Sequence, residues 1–302
     1  MVGPLGENYF SEFVARTNPT PTMVSEIQSL HQAIRDLFDE GYYETFLQGS
    51  YRNDTATKEI NDVDIVILRK NTVSTVFSSE RYPGVQPWEN TRSEIFNALN
   101  SNATYRGRIT PGNKCFRISV GYEVDVVPAV RIAPRWQDDP IAIYNIAIGE
   151  ISTSPRTHSA NCERKNQATA EGFKPLVRMF KWWGRRNVES TAAPSFFIES
   201  LLYNVYPRCF TSAYGSDFVS ITKIILDNLP PSAAAQNQSV VTPGEGKPLL
   251  SGTDWSLEKY TLFYQRLLQS YQVMTRAVAA ASAYEAVQIW KQLMGQEFPS
   301  TV

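Results

Sequence analysis

The sequence predicts an α+β protein whose first half forms a sheet and whose second half is helical. Short apolar or alternating runs, rich in β-branched and aromatic residues, fill the stretch 42–125. After about Ser152, apolar residues recur at helical spacing. The predicted division is a sheet lobe at residues 1–155 and a helical lobe at 156–302. We expect a cleft between them and a helix at 23–40 that spans both.

The helix at 23–40 is predicted because Ile27, Leu30 and Ile34 recur at helical spacing, and Gly41 ends the pattern. Strands are predicted at 44–47, 63–68, 115–120 and 122–127, with a helix at 88–100 before the third strand. Further helices are predicted at 159–171, 175–186, 194–205, 217–228, 256–281 and 283–294. Residues 230–254, rich in Pro, Gly and Ser, are interpreted as a surface loop, with a mobile gate as the alternative.

The composition favours a cytoplasmic protein, and we expect a monomer. No stretch approaches the roughly 20 apolar residues that a membrane helix needs, and the first ten residues do not resemble a signal peptide. The 302 residues carry a net charge of −1. Proteins that hold long nucleic acids usually have a strong basic excess, so we expect no stable complex with long DNA or RNA, and no membrane partner.

Cysteine and histidine offer little material for a metal or catalytic centre. The three cysteines lie far apart, and the sequence contains only two histidines. A disulfide framework and a Cys- or His-based metal site are therefore unsupported. Carboxylates are the plentiful candidate ligands, and they suit hard ions such as Mg²⁺.

Three short segments of the predicted sheet together point to phosphoryl transfer. They are Gly49-Ser50 after the first strand, Asp62 and Asp64 at the start of the most apolar strand, and Asp125 within another strand. Residues two apart on a strand share a face, so Asp62 and Asp64 lie side by side, and Asp125 can project onto that face from a neighbouring strand. Converging carboxylates repel one another unless cations lie among them. We therefore predict two Mg²⁺ ions, with Mn²⁺ as an alternative, bound by the three aspartates.

Each of these segments also has an ordinary interpretation. An Asp-x-Asp pair is common on surface strands, Gly-Ser is a frequent turn dipeptide, and Asp125 could be a hydrogen-bonded carboxylate. Their conjunction is more specific. A glycine lets the backbone approach a ligand, and the Ser50 hydroxyl can then donate a hydrogen bond to a triphosphate.

The pattern resembles the Gly-[Gly/Ser]…[Asp/Glu]-h-[Asp/Glu]-h signature of polymerase-β-like nucleotidyltransferases, where h is apolar. The longer run 46–55, Phe-Leu-Gln-Gly-Ser-Tyr-Arg-Asn-Asp-Thr, and the motif 124–128, Val-Asp-Val-Val-Pro, are similar to the cyclic GMP–AMP synthase/DncV-like branch, the CD-NTases. The resemblance covers about residues 20–295. It implies that Ser50 contacts phosphate and that Asp62, Asp64 and Asp125 are the metal ligands.

A basic stretch at 156–187 opens the predicted helical half, with eight Lys or Arg against two Glu. Arg178, Lys181 and Arg185 have spacings of 3 and 4 and so share one helix face, for which a solvated basic face is the ordinary interpretation. The resemblance implies instead that Lys181 contacts the triphosphate and that Ser195 joins it. It also implies that the stretch around Asn161 lines the base pocket, for which helix capping by Thr157 or Ser159 is the alternative.

The resemblance implies an enzyme that joins nucleoside triphosphates into a cyclic di- or trinucleotide and releases pyrophosphate. That product would activate a downstream effector in antiphage defence. Three alternatives stay open: transfer to a tRNA end or a protein hydroxyl, a nucleotide sensor without catalysis, and a linear oligoadenylate synthase activated by duplex RNA. The near-neutral charge disfavours the RNA-dependent alternatives.

Overall fold

The computed structural model describes residues 2–59, 62–74, 76, 89–132, 139–234, 239–250 and 255–302. The chain forms two compact units, and each is assembled from segments distant in sequence. Residues 19–53 and 60–160 form the sheet unit; residues 1–18, 54–59 and 161–302 form the helical unit. This division differs from the predicted one at 155, because two short N-terminal segments belong to the helical unit. No helix in the described ranges is long and apolar enough to cross a membrane.

The sheet unit contains a mixed sheet of seven strands within the described residues. The strands are β1 (Tyr43–Gln48), β2 (Asp62–Val73), β3 (Ile109–Pro111), β4 (Phe116–Ser119), β5 (Glu123–Arg131), β6 (Ile141–Asn145) and β7 (Gly149–Thr153). The order is β1-β2-β5-β4-β3, and β6 pairs with both β5 and β7. β2 and β5 run parallel, whereas the other pairs are antiparallel.

Helices cover one face of this sheet. They are α2 (Pro21–Arg35) and α4 (Glu89–Ser101), which contribute Ile27, Ile34, Ile95 and Leu99 to a buried core. Val63, Ile65 and Ile67 of β2 complete that core. Because side chains alternate along a strand, Asp62 and Asp64 project from the opposite face. The smaller apolar cluster of Val66 and Leu68 lies on that second face.

The helical unit surrounds a large aromatic core. Its helices are α1 (Glu7–Thr17), α6 (Phe173–Asn187), α7 (Ser195–Tyr203), α8 (Tyr214–Asn228), α9 (Pro231–Ala234), α10 (Leu257–Val278) and α11 (Ala283–Met294); α5 (Pro155–Ala168) contains the boundary between the units. Phe10 of α1 packs edge-on against Trp290 of α11, with ring centroids 4.9 Å apart. Glu7 also accepts hydrogen bonds from the backbone N–H groups of Gly215 and Ser216, and so it caps α8.

The structure agrees with the predicted elements in outline and differs in detail. The predicted helix at 23–40 is α2, which begins earlier, where Thr20 accepts a hydrogen bond from the Met23 N–H. α2 belongs to the sheet unit. The predicted helix at 88–100 is α4, and Trp88 lies outside the described residues. α1, β3, β6 and β7 were not predicted.

The stretch 230–254 contains more structure than a plain surface loop. It begins with the short helix α9, and Val241 forms a β-bridge with Pro248. Asn204 holds this turn, because its side chain donates to the Val241 carbonyl and accepts from the Val241 N–H, at 2.8 and 3.0 Å. Residues 235–238 and 251–254 lie outside the described ranges.

Candidate active site

The pairing of β2 with β5 aligns two of the predicted metal ligands. Asp64 is the register partner of Asp125, and the strands are parallel. Register partners on adjacent strands share a face, and Asp62 shares it too, since it lies two residues before Asp64. Asp62 is exposed, whereas Asp64 and Asp125 are partly buried. The fold therefore places the three carboxylates at one end of one sheet face.

The electrostatics of Asp64 show how unfavourable this arrangement is without a cation. Burial, together with the negative charges of Asp62 and Asp125, raises the pKa of Asp64 to about 7, while Arg117 opposes the shift. Desolvation and like charge both disfavour the ionised form. A divalent cation would relieve both effects, so the residues present fit a metal-ion site.

Asp125 has partners that the sequence did not reveal. Arg117 is its register partner on β4 and donates two hydrogen bonds to it, from Nε to Oδ1 at 2.8 Å and from Nη2 to Oδ2 at 2.9 Å. The pairing raises the pKa of Arg117 above its ordinary value. Burial, together with the Asp125 charge and hydrogen bond, raises the pKa of the Cys115 thiol to about 11. The strand register, which sequence spacing leaves open, identifies Arg117, and Cys115 lies just before β4.

Gly49 is required by two independent features of the structure. Its φ of +68° lies in the left-handed region that favours glycine. A Cβ atom at this position would lie 2.5 Å from Oδ2 of Asp64. The backbone therefore passes close against the Asp64 carboxylate. Ser50 follows in the short helix α3 (Gly49–Arg52) and is partly buried.

The basic face of α6 is buried at Arg178 and Lys181 and exposed at Arg185. Arg178 and Lys181 are 7% and 2% exposed. Arg178 donates to the Asp54 carbonyl at 2.6 Å, Lys181 donates to the Thr55 hydroxyl at 2.8 Å, and Arg185 donates to the Thr57 hydroxyl at 3.0 Å. This face of α6 therefore holds residues 54–59, the segment of chain between the Gly-Ser turn and β2.

Lys181 also forms a buried ion pair with Glu199 of α7, with Nζ 2.8 Å from Oε2. Both side chains are at most 3% exposed, and Glu199 also accepts a hydrogen bond from Thr55. In this structure the Lys181 ammonium therefore contacts protein groups. The triphosphate contact of Lys181 stays a prediction.

The remaining predicted nucleotide contacts lie in the helical unit. Asn161 donates from Nδ2 to the Pro243 carbonyl at 2.6 Å and accepts from Arg164, so it connects α5 to the turn near Val241. Ser195 is the first residue of α7 and is partly buried. The nucleotide contacts of these two residues stay predictions.

Similarities to known proteins agree with this geometry. Residues 160–272 match the family model of the cGAS/DncV-like nucleotidyltransferase C-terminal helical domain. The chain is 22% identical to a cyclic AMP-AMP-AMP synthase from Acinetobacter, over 97% of this chain and 85% of that protein. It is 29% identical to a cyclic UMP-AMP synthase from Rhodothermus marinus, over 63% of this chain and 75% of that protein.

The fold is also found among solved structures. The R. marinus CdnE c-UMP-AMP synthase, solved with Apcpp and Upnpp, aligns with a TM-score of 0.65 at 22% identity, over 89% of this chain and 97% of that one. This similarity confirms the predicted α+β fold, a polymerase-β-like sheet followed by helices.

Replacing Asp64 with Asn should stabilise the metal-free protein in a pH-dependent manner. The folded-state pKa of Asp64 is raised, so the wild-type protein loses stability as pH rises from about 4 through 7, and the variant avoids this loss. We expect the variant to gain about 1–3 kcal/mol in free energy of unfolding at pH 8 and much less at pH 4.5. Urea denaturation in EDTA at both pH values measures this. Asp125→Asn should show no such gain, because it loses the Arg117 ion pair; equal gains in both variants would contradict this account.

Replacing Lys181 with Met should destabilise the helical unit strongly, because the buried Glu199 charge loses its ammonium partner. We expect a loss of about 3–5 kcal/mol, with partial recovery in Lys181→Met/Glu199→Gln. The control is Lys223→Met, which breaks the exposed Lys223–Asp227 pair and should change stability by less than about 1 kcal/mol. Thermal and urea unfolding provide the measurement. A Lys181 variant as stable as the Lys223 variant would show that the buried pair is dispensable.

Proposed function

We propose that this chain, a nucleotidyltransferase of the cGAS/DncV-like (CD-NTase) family, joins nucleoside triphosphates into a cyclic di- or trinucleotide and releases pyrophosphate. The alignment of Asp64 with Asp125 on paired parallel strands, with Asp62 beside them, is the observation on which the proposal depends. The names of both relatives support the cyclic product.

The proposed reaction has two phosphoryl transfers. A ribose hydroxyl of an acceptor nucleotide attacks the α-phosphorus of a donor triphosphate, a new P–O bond forms, and the bond to the β-phosphate oxygen breaks. A later transfer of the same kind closes the ring. Mg²⁺ ions held by Asp62, Asp64 and Asp125 would supply Lewis-acid stabilisation of the charge that develops on the phosphates.

Residues of the chain have distinct tasks in this scheme. Asp125 accepts the proton of the attacking hydroxyl, since a carboxylate beside the reacting centre can act as a general base. Gly49 brings the backbone close to Asp64, and Ser50 donates a hydrogen bond to the donor phosphates. Asn161 contributes to the base pocket. Lys181 contacts the triphosphate by exchanging its Glu199 partner for phosphate, and Ser195, the first residue of α7, joins it.

The product would act as a soluble messenger, binding an effector in an antiphage response. Both relatives named above make products that contain AMP according to their names, so ATP is the first substrate to test.

Purified protein with the four labelled triphosphates and Mg²⁺ should convert label into a phosphatase-resistant cyclic product. The Asp62→Ala/Asp64→Ala variant should lose activity by a factor of at least about 1,000, because it lacks two of the three charges that hold the cations. Chromatography against cyclic and linear standards identifies the product. Full synthesis by the double variant would refute the proposal, and label transferred to added tRNA or protein would support a different acceptor.

Gly49→Ala should reduce product formation by at least tenfold, because the added methyl group meets the Asp64 carboxylate at 2.5 Å. The matched control is Gly107→Ala. Gly107 has a similar φ of +76°, but a Cβ there meets nothing within 4 Å. Both variants should lose about 1–2 kcal/mol of stability from the left-handed backbone, and only Gly49→Ala should lose activity. Initial rates and unfolding curves of both variants separate strain from contact, and equal activities would show that the close approach is unimportant.

A further inference from the structure

The Arg117–Asp125 pair occupies the carboxylate that the proposed function assigns to a divalent cation. Each carboxylate oxygen of Asp125 accepts a hydrogen bond from the Arg117 guanidinium, in the bidentate geometry common to arginine–carboxylate pairs. The pair is fixed by backbone pairing, since Arg117 and Asp125 are register partners on antiparallel strands. A metal ion that binds Asp125 must therefore displace the Arg117 guanidinium or share the carboxylate with it.

The neighbouring carboxylates are in a different situation. Asp64 lies beside Asp125 in register. Burial and the negative charges of Asp62 and Asp125 both disfavour the ionised Asp64 carboxylate. Within the described residues, the positive charge of Arg117 favours the ionised form of Asp64 and so opposes these two effects. The three carboxylates thus outnumber the guanidinium, so a divalent ion gains most at Asp62 and Asp64 and least at Asp125.

Arg117 is also able to leave. Its side chain is 55% exposed, whereas that of Asp125 is 20% exposed. Because more than half of the Arg117 side chain is exposed, water can solvate the guanidinium when an ion takes its place at Asp125. The guanidinium can therefore compete with an arriving ion without trapping Asp125.

We infer that Arg117 is an internal substitute for a divalent cation, which holds the Asp125 carboxylate in the metal-free protein and competes with the ion for it. The inference rests on the proposed function, because that function assigns Asp125 to a metal ion. Arg117 is then a positioning residue: it lowers the affinity for the ion at Asp125, and it limits repulsion among the carboxylates until the ion arrives.

Titration of the full chain with MnCl₂, with free Mn²⁺ measured by electron paramagnetic resonance, tests this inference. Arg117→Gln should bind Mn²⁺ on the order of tenfold more tightly than the wild type, because the competing charge is gone. Arg117→Lys, which keeps the charge without the bidentate contact, should lie between them. Arg106→Gln is the control: it removes the same charge from an arginine of the sheet unit that bonds to the carbonyls of Asn100 and Ser101, and it should bind as the wild type does.

Thermal unfolding gives a second readout that does not depend on activity. Without metal, Arg117→Gln should melt below the wild type, because Asp125 loses its partner, and saturating Mn²⁺ should raise its melting temperature by more than that of the wild type. Equal Mn²⁺ affinities for Arg117→Gln and Arg106→Gln would overturn the inference. Unchanged Mn²⁺ binding by Asp64→Asn would instead show that the proposed metal site is wrong, and the inference would fail with it.

Discussion

Repulsion among neighbouring carboxylates is the constraint on which this site depends. Parallel pairing of β2 with β5 sets Asp64 against Asp125, and strand alternation adds Asp62 to the same face. Apolar residues then bury both strands, with Val63, Ile65, Val124 and Val126 fully inaccessible. Burial of these apolar side chains thus offsets the repulsion among the neighbouring carboxylates. Two residues accommodate this repulsion. Gly49 lets the backbone approach Asp64, and Arg117 neutralises the charge of Asp125.

The same strands explain why much of this arrangement could be predicted from the sequence. The run Ile65–Leu68 is apolar and β-branched, and the spacing of Asp62 and Asp64 fixes their common face whatever the surrounding fold. The positions of the long helices followed from apolar periodicity, and α11 begins and ends at the predicted residues. These features are local, so they can be inferred without knowing which segments pair.

Features that depend on pairing could not be inferred in this way. β2 continues through Arg69, Lys70 and Asn71, because hydrogen bonds to neighbouring strands extend it beyond its apolar run. The short strands β3, β6 and β7 have weak patterns of their own. The sequence pattern predicts that Lys181 faces solvent or phosphate. Its burial follows instead from hydrogen bonds to Glu199 and Thr55, which lie 18 and 126 residues away in the sequence. α1, in contrast, could have been predicted from the sequence, because Phe10, Phe13 and Val14 recur at helical spacing.

The discontinuous make-up of the helical unit bears on how the chain is synthesised. Phe10 and Phe13 pack against Phe298, which lies far from them in the sequence. During translation these aromatic side chains emerge well before Phe298. The amphipathic α1 can pack against Trp182 of α6 in the meantime, but it gains its contacts with Trp290 and Phe298 only later. Completion of this core therefore waits for synthesis of the segment that contains Trp290 and Phe298.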